Sequence, residues 1–176
     1  PALVREVLRD IGYYRAKYGF DCDTCGVLNA IHDQGPDIAQ GVDESWEAQH
    51  GLDEGDPYER VGAGDQGMMF GYACDETPTL MPMPVYLAHR LAERLTEVRK
   101  NGTMPLLRPD GKTQVSVRYE GGRPVHVEKV VVSTQHAEEI AHDELRAQIV
   151  ENVVKPVLER EGVALADDAE IPVNTP

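Results

Sequence analysis

The sequence predicts an α+β fold of order β-α-β-β-α-β from residue 68, with two helices on one face of a mainly antiparallel sheet. Three observations predict it. Apolar residues recur at helical spacing in residues 87–98 and again in residues 141–153. Between these segments, apolar and polar residues alternate from Val115 to Tyr119, as in a half-buried strand. The segment Glu120–Arg123 contains two glycines and predicts a hairpin turn.

The elements before this region are less regular. Apolar residues within 2–18 share one helical face, and Gly19 is a suitable end for that helix. Cys25–Ile31 is a short apolar run that predicts a strand. The next strand is predicted from Met68 to Cys74, with Gly71 inside it. This second strand opens the β-α-β-β-α-β order.

The remaining elements follow from helix and strand boundaries. Pro84 suits the first turn of a helix, and Asn101-Gly102 suits its end. Pro156 is expected to bend or end the second long helix, because proline cannot donate a backbone hydrogen bond. After the hairpin turn we expect a return strand, a helix and a last strand, at residues 125–134, 137–155 and 169–174.

Residues 32–60 differ from the rest of the chain. They are rich in acidic residues and glycine, and no lysine or arginine occurs before Arg60. A long segment without a hydrophobic period is either a functional loop or a linker when it lies inside a compact domain. We favour a mobile functional loop.

The size and charge of the chain exclude several classes of protein. Its 176 residues and 19.5 kDa suit one domain, or one and a part. The net charge of −14 argues against nucleic-acid and anionic-membrane partners, because a protein needs a basic surface to bind either of them. No apolar run is long enough for a membrane span, and nothing resembles a signal peptide. We expect a cytoplasmic protein, and because both ends look cut, a piece of a longer polypeptide.

The segment Gly62–Gly67 has the pattern G-x-G-x-x-G. A dinucleotide site of that pattern needs a strand before the glycines and a helix after them, and here the predicted order is the reverse. Glycines still allow a backbone to approach a ligand closely. A structural alternative is a tight loop entering a strand, with Asp65 capping backbone amides.

The segment Arg108–Lys112 contains Pro-Asp-Gly, a common turn sequence. The residues alone favour a plain loop between a helix and a strand. A functional alternative is that Lys112 offers a positive charge to phosphate.

Cys22 and Cys25 form a C-x-x-C pair, a spacing found in redox and zinc sites. There is no second such pair, and Cys74 stands alone. The sequence therefore favours two small buried thiols over a metal or redox site.

Several segments together resemble the S-adenosylmethionine synthetase family. Gly62–Gly67, continued by Met68–Ala73, is similar to the signature of that family, and Gln34–Asp43 is similar to its gating loop. Four further segments resemble the family's middle domain, in the same order and spacing. They are Arg99–Pro105, Leu107–Val115, Ser133–His136 and Glu138–Ile140.

This resemblance implies an enzyme that joins ATP and L-methionine. The methionine sulfur attacks the ribose C5′ atom and displaces triphosphate, which the enzyme then cleaves to phosphate and diphosphate. Two Mg²⁺ and one K⁺ assist as cofactors. Subunits would form a homo-oligomer, usually a tetramer built as a dimer of dimers, and each subunit would contain three domains of the order predicted above.

The resemblance also implies roles for individual residues. Gln34 would contact methionine, and Asp65 would be the signature aspartate at the substrate site. Asp110, Gly111 and Lys112 would belong to an ATP-binding segment, with Lys112 near the polyphosphate. The catalytic pair would be Asp65 and Lys112. The flexible loop would comprise Gln34, Gly35, Pro36, Asp37, Ile38, Ala39, Gln40, Gly41, Val42, Asp43 and Glu44.

The family's Gly-His-Pro-Asp-Lys and Gly-Gly-Gly-Ala-Phe-Ser segments are absent from these residues, as are its metal-binding and K⁺-binding acids. We therefore expect the end of an N-terminal domain in residues 1–33, the flexible loop and linker in 34–60, and a middle domain in 61–176. No metal site is expected in this chain, and the isolated chain is expected to be inactive. The alternative is a non-catalytic binding or oligomerisation module with the same fold.

Overall fold

The computed structural model describes residues 1–52 and 54–174. These residues form two compact units. The first unit contains residues 1–26 and 72–176, and the second contains residues 27–71. The first holds the sheet and the long helices, and the second holds two short helices and the glycine-rich signature.

The helices and strands confirm the α+β class. In chain order they are α1 (Ala2–Ile11), α2 (Pro36–Val42), α3 (Trp46–Gln49), α4 (Met83–Lys100), β1 (Leu107–Glu120), β2 (Arg123–His136), α5 (His142–Ile149), α6 (Lys155–Glu161) and β3 (Leu165–Glu170). A short 3₁₀ helix at Ala16–Tyr18 and a π-helical segment at Val150–Val154 complete the set.

The sheet has the order β1-β2-β3, with an antiparallel and a parallel pair. The β1–β2 hairpin turns at Gly121-Gly122, and both glycines have positive φ, 57° and 78°. This is the turn that the sequence predicts. β3 lies earlier in the chain than the last strand predicted at residues 169–174. Among the described residues, a single bridge, from Val173 to Val132, continues the parallel pairing.

The core lies between the sheet and the helices α4, α5 and α6. Leu87, Leu91, Leu95 and Val98 form the buried side of α4, as their spacing predicts. They join the buried valines of β2 and the apolar side chains of α5, α6 and the π-helical segment in one cluster. Pro84 lies in the first turn of α4, and Asn101 caps its end, so both predicted boundaries are confirmed.

Both strands predicted before residue 75 are wrong. Neither Cys25–Ile31 nor Met68–Cys74 forms a strand, and the side chains of Leu28, Ile31 and Phe70 are exposed. A strand exists only where a neighbour completes its backbone hydrogen bonds, and no described strand pairs with either segment. The observed order in the first unit from residue 83 is therefore α4-β1-β2-α5-α6-β3.

The first helix is shorter than predicted. α1 ends at Ile11, because Gly12 adopts a left-handed φ of 118° and its amide caps the carbonyl of Leu8. The predicted end at Gly19 instead closes the short 3₁₀ helix.

The second helical region continues through Pro156. The predicted helix of residues 137–155 begins only at His142 and continues to Glu161. Pro156 has no amide to donate to the carbonyl of Asn152, and the chain opens into a π turn just before it. Arg94 of α4 supplies the missing donor, since its Nε lies 2.9 Å from the oxygen of Asn152.

Arg94→Met is expected to lower the free energy of unfolding by about 1–3 kcal/mol, because the partly buried carbonyl of Asn152 loses its donor. Urea unfolding measures this. Arg94 also lies 2.8 Å from Glu97 in a partly exposed ion pair. Glu97→Gln removes that pair alone and should change stability by less than about 0.5 kcal/mol. Equal losses in both variants would show that the ion pair, and not the carbonyl contact, matters.

Candidate active site

The predicted gating loop is largely helical. Pro36 starts α2 directly after Gly35, and the helix continues to Val42. The amide of Ala39 donates to the carbonyl of Gly35 at 2.9 Å. The expectation of an irregular segment in residues 32–60 is wrong here, because proline is well suited to a first helical turn. The mobility of the loop stays a prediction.

The signature segment packs against the end of α2, within the second unit. The amide of Gly62 donates to the carbonyl of Val42, and the amide of Gly64 donates to the carbonyl of Gly41, both at 2.9 Å. These two hydrogen bonds attach the first half of the signature to the last turn of the predicted gating loop.

Glycine is required at the contact because the two backbones touch. A Cβ atom on Gly62 would lie 2.0 Å from the carbonyl oxygen of Gly41, and one on Gly64 would lie 2.6–2.7 Å from Gly41 backbone atoms. Gly67, the last signature glycine, would meet only the side chain of Met69 at 3.7 Å. The signature therefore contains two glycines in tight backbone contact and one whose Cβ would make only an ordinary contact with a side chain.

A cavity of about 740 Å³ lies beside this contact, also within the second unit. Its lining includes Trp46, several glutamates and the glycines of the contact. Trp46 is 61% exposed and stacks on His50, with 4.2 Å between the ring centroids. Ser45 caps α3 through its hydroxyl and also donates to the carbonyl of Glu59. The tryptophan is thus anchored next to the predicted loop but is open to solvent.

Asp65 is exposed and makes no side-chain hydrogen bond or ion pair with the described residues. The structural alternative, in which it caps backbone amides before a strand, is wrong, because neither the caps nor the strand is present. Gln34 is likewise exposed and without a described partner. Neither polar side chain has a role in holding the second unit together.

Asp110, Gly111 and Lys112 lie inside β1, in the first unit. The expectation of a plain loop is wrong: Gly111 pairs with Thr134 and Lys112 with Ser133, directly after an irregularity in the register between Leu107 and Gly111. The bulge accommodates Pro109, which cannot donate to the ladder. Asp110 and Lys112 are exposed and have no side-chain partner among the described residues.

Among residues 1–52 and 54–174, no three His, Cys, Asp or Glu side chains form a group that could hold a metal ion. No described helix is long and apolar enough to cross a membrane.

Comparison with known proteins identifies the family. The model of the S-adenosylmethionine synthetase central domain matches residues 60–176. This chain belongs to the S-adenosylmethionine synthetase family. One relative is the S-adenosylmethionine synthase of Desulforudis audaxviator (strain MP104C), which is 65% identical over 158 residues. The match covers 90% of this chain and 40% of the length of that relative.

Sequence reasoning missed the packing role of one glycine in the second unit. Sequence reasoning places Gly41 in the flexible loop but predicts no packing role for it, whereas it lies within α2 with its backbone against Gly62 and Gly64. A glycine inside a helix costs about 1 kcal/mol relative to alanine, so its presence there was a signal of close packing.

Proposed function

We propose that the protein containing this chain is a methionine adenosyltransferase, which converts ATP, L-methionine and water to S-adenosylmethionine, phosphate and diphosphate. The observation that carries the proposal is a set of exposed polar side chains without described partners, at positions that match the family's site. These are Gln34, Asp65, Asp110 and Lys112. Polar side chains that make no contact within the fold are available for substrates.

The reaction first forms a sulfonium. The methionine sulfur attacks C5′ of the ATP ribose, the S–C5′ bond forms, and the C5′–O bond breaks with its electrons passing to triphosphate. Water then attacks a phosphorus of the triphosphate and releases phosphate and diphosphate. Lys112 would stabilise the negative charge that develops on the leaving group. Asp65 would repel phosphate, so it is assigned to the hydroxyl-bearing or positively charged part of the substrates.

Gln34 and the α2 segment are assigned to methionine binding and to closure over the site. Closure excludes water during sulfonium formation, when triphosphate could otherwise escape. The two hydrogen bonds from Gly62 and Gly64 join this segment to the signature that contains Asp65. A movement of α2 would therefore also displace the signature segment.

Two Mg²⁺, K⁺, a dimer-of-dimers homotetramer and a cytoplasmic location are further parts of the proposal. When bound, Mg²⁺ would offset the charge of the triphosphate. The described residues do not fit Mg²⁺, because no three of their His, Cys, Asp or Glu side chains form a group that could hold a metal ion.

Asp65→Asn tests the proposal in the full-length protein. We expect the wild type to form S-adenosylmethionine from ATP and methionine, and the variant to lose at least tenfold in kcat/KM, because a charged hydrogen-bond acceptor is worth about 1.5–3 kcal/mol. Asp168→Asn, at an exposed position of β3, is the matched control and should stay near the wild-type rate. Unchanged turnover in Asp65→Asn, with a stable fold in both variants, would exclude Asp65 from the site.

Trp46 is expected to report loop closure. It is exposed beside α2, so closure over substrates should alter its surroundings and its emission. ATP plus methionine should therefore change the tryptophan fluorescence of the full-length protein. The Trp46→Phe variant separates this signal from that of any other tryptophan. A signal that is the same in wild type and Trp46→Phe would contradict closure near Trp46.

A further inference from the structure

The C-x-x-C pair lies in a turn that follows α1 in the first unit. Cys22 is fully buried, Cys25 is partly exposed, and both are free thiols. No third metal-ligating side chain joins them among the described residues. The Cys22 thiol is therefore shielded from solvent, and solvent can reach the Cys25 thiol.

The turn brings the two cysteines to the same side. The amide of Cys25 donates to the carbonyl of Asp21 at 3.1 Å, which closes a single helical turn. The carboxylate of Asp21 accepts from the amides of Asp23 and Thr24, at 2.8 and 2.9 Å. The Thr24 hydroxyl and these amides hold the pKa of Asp21 below its usual value, so the Asp21 carboxylate that stabilises the turn stays charged. Side chains three residues apart on a helical turn have Cβ atoms about 5–6 Å apart.

That spacing is close to what a disulfide needs. Disulfides join Cβ atoms about 3.5–4.5 Å apart, so only a small closing of the turn is required. The sulfur of Cys25 already points back along the turn, 4.0 Å from the carbonyl oxygen of Cys22.

Arg5 of α1 holds the turn from outside. Its guanidinium donates to the carbonyl of Cys22 at 2.6 Å and to the carbonyl of Cys25 at 2.9 Å. The same group lies 3.7 Å from the sulfur of Cys25. A neighbouring arginine is one of the surroundings found around reactive cysteines. Cys25 therefore combines access to solvent, a positive neighbour and a second thiol within reach.

We propose that Cys22 and Cys25 form a reversible disulfide by exchange with small disulfides, with Cys25 as the attacking thiol and Cys22 as the resolving thiol. The Cys25 thiolate attacks the S–S bond of the small disulfide, forms a mixed disulfide and releases one small thiol. The Cys22 thiolate then attacks the Cys25 sulfur and releases the second small thiol. The small disulfide is reduced to two thiols, and the protein dithiol is oxidised. This site is independent of the proposed catalytic activity.

The test is treatment of the full-length protein with oxidised glutathione, followed by acid quenching, trypsin and mass spectrometry. Both cysteines fall in one tryptic peptide, residues 18–60, which contains no other cysteine. The wild-type peptide should become lighter by two hydrogens, after a brief glutathione adduct on Cys25. Cys22→Ser should retain that adduct, because no thiol resolves it. Cys25→Ser should collect almost none, because Cys22 is buried.

Cys74→Ser is the matched control and should behave as the wild type, since Cys74 lies outside this peptide. The early wild-type time points identify the attacking thiol even if Cys22→Ser does not fold. A lasting glutathione adduct on the wild-type peptide would overturn the proposal, since it would show that Cys22 does not reach Cys25. A peptide that stays reduced, or a first adduct on Cys22, would overturn it equally.

Discussion

Gly62→Ala is expected to lower kcat/KM of the full-length protein for methionine about 100-fold, the scale of loss when a positioned group shifts by about 1 Å. The new Cβ would lie 2.0 Å from the carbonyl oxygen of Gly41. Backbone cannot rotate out of the way as a side chain can, so α2 and the signature must separate. Gly64→Ala should have a similar effect, since its Cβ would approach Gly41 backbone atoms to 2.6–2.7 Å.

Gly67→Ala is the matched control for this prediction. It lies in the same signature, but its Cβ would meet only the flexible end of Met69 at 3.7 Å. None of these three glycines has a left-handed φ, so the substitutions differ in space and not in backbone strain. Steady-state kinetics with methionine and the Trp46 signal measure the effect. Equal activity in Gly62→Ala and Gly67→Ala would show that the α2–signature contact has no part in function.

Lys112→Ala is expected to lower kcat of the full-length protein about 10²–10³-fold, the usual loss when one group that stabilises transition-state charge is removed. The thermal unfolding midpoint should hardly change, because the Lys112 side chain is exposed and has no described partner. The loss should appear more in kcat than in the KM for ATP, because charge on the leaving triphosphate grows in the transition state.

Lys129→Ala is the matched control for Lys112→Ala. Lys129 also lies in the sheet, on β2, and among the described residues it pairs with the exposed Glu170 alone. That variant should keep the wild-type kcat, since surface ion pairs contribute little. If Lys112→Ala keeps the rate of Lys129→Ala, the assignment of Lys112 to the leaving group is wrong.

Sequence reasoning succeeded where a local signal decides the structure. The position of Pro84 in the first turn of α4 follows from the fixed φ of proline, and the Gly121-Gly122 turn follows from the positive φ of glycine. The apolar period of α4 needs only burial on one side. These features depend on neighbours within a few residues, and the structure confirms them.

It failed where the outcome depends on distant partners. Met68–Cys74 has the composition of a strand, but no described strand completes its hydrogen bonds. The helical region continues through Pro156, and Arg94 on another helix satisfies the carbonyl of Asn152. A proline alone could not reveal that partner.

The candidate site shows the same division. The motifs predict that Asp65 and Lys112 lie at a substrate site. The local structure around each residue differs from the loops that the sequence predicts. The contact of Gly41 with Gly62 and Gly64 joins residues more than twenty positions apart. No periodicity within either segment predicts this contact. The one sequence feature consistent with it is that all three residues are glycines, which have no Cβ.

The most direct test of the proposed activity is a product assay with ATP, L-methionine, Mg²⁺ and K⁺, run in parallel on the full-length protein and on the 176-residue chain. The full-length protein should release S-adenosylmethionine, phosphate and diphosphate in equal amounts, and the chain alone should release none. A full-length protein that binds these substrates but forms no S-adenosylmethionine would contradict the proposed activity and favour a binding or oligomerisation module. Turnover by the chain alone would contradict the claim that it lacks part of the catalytic machinery.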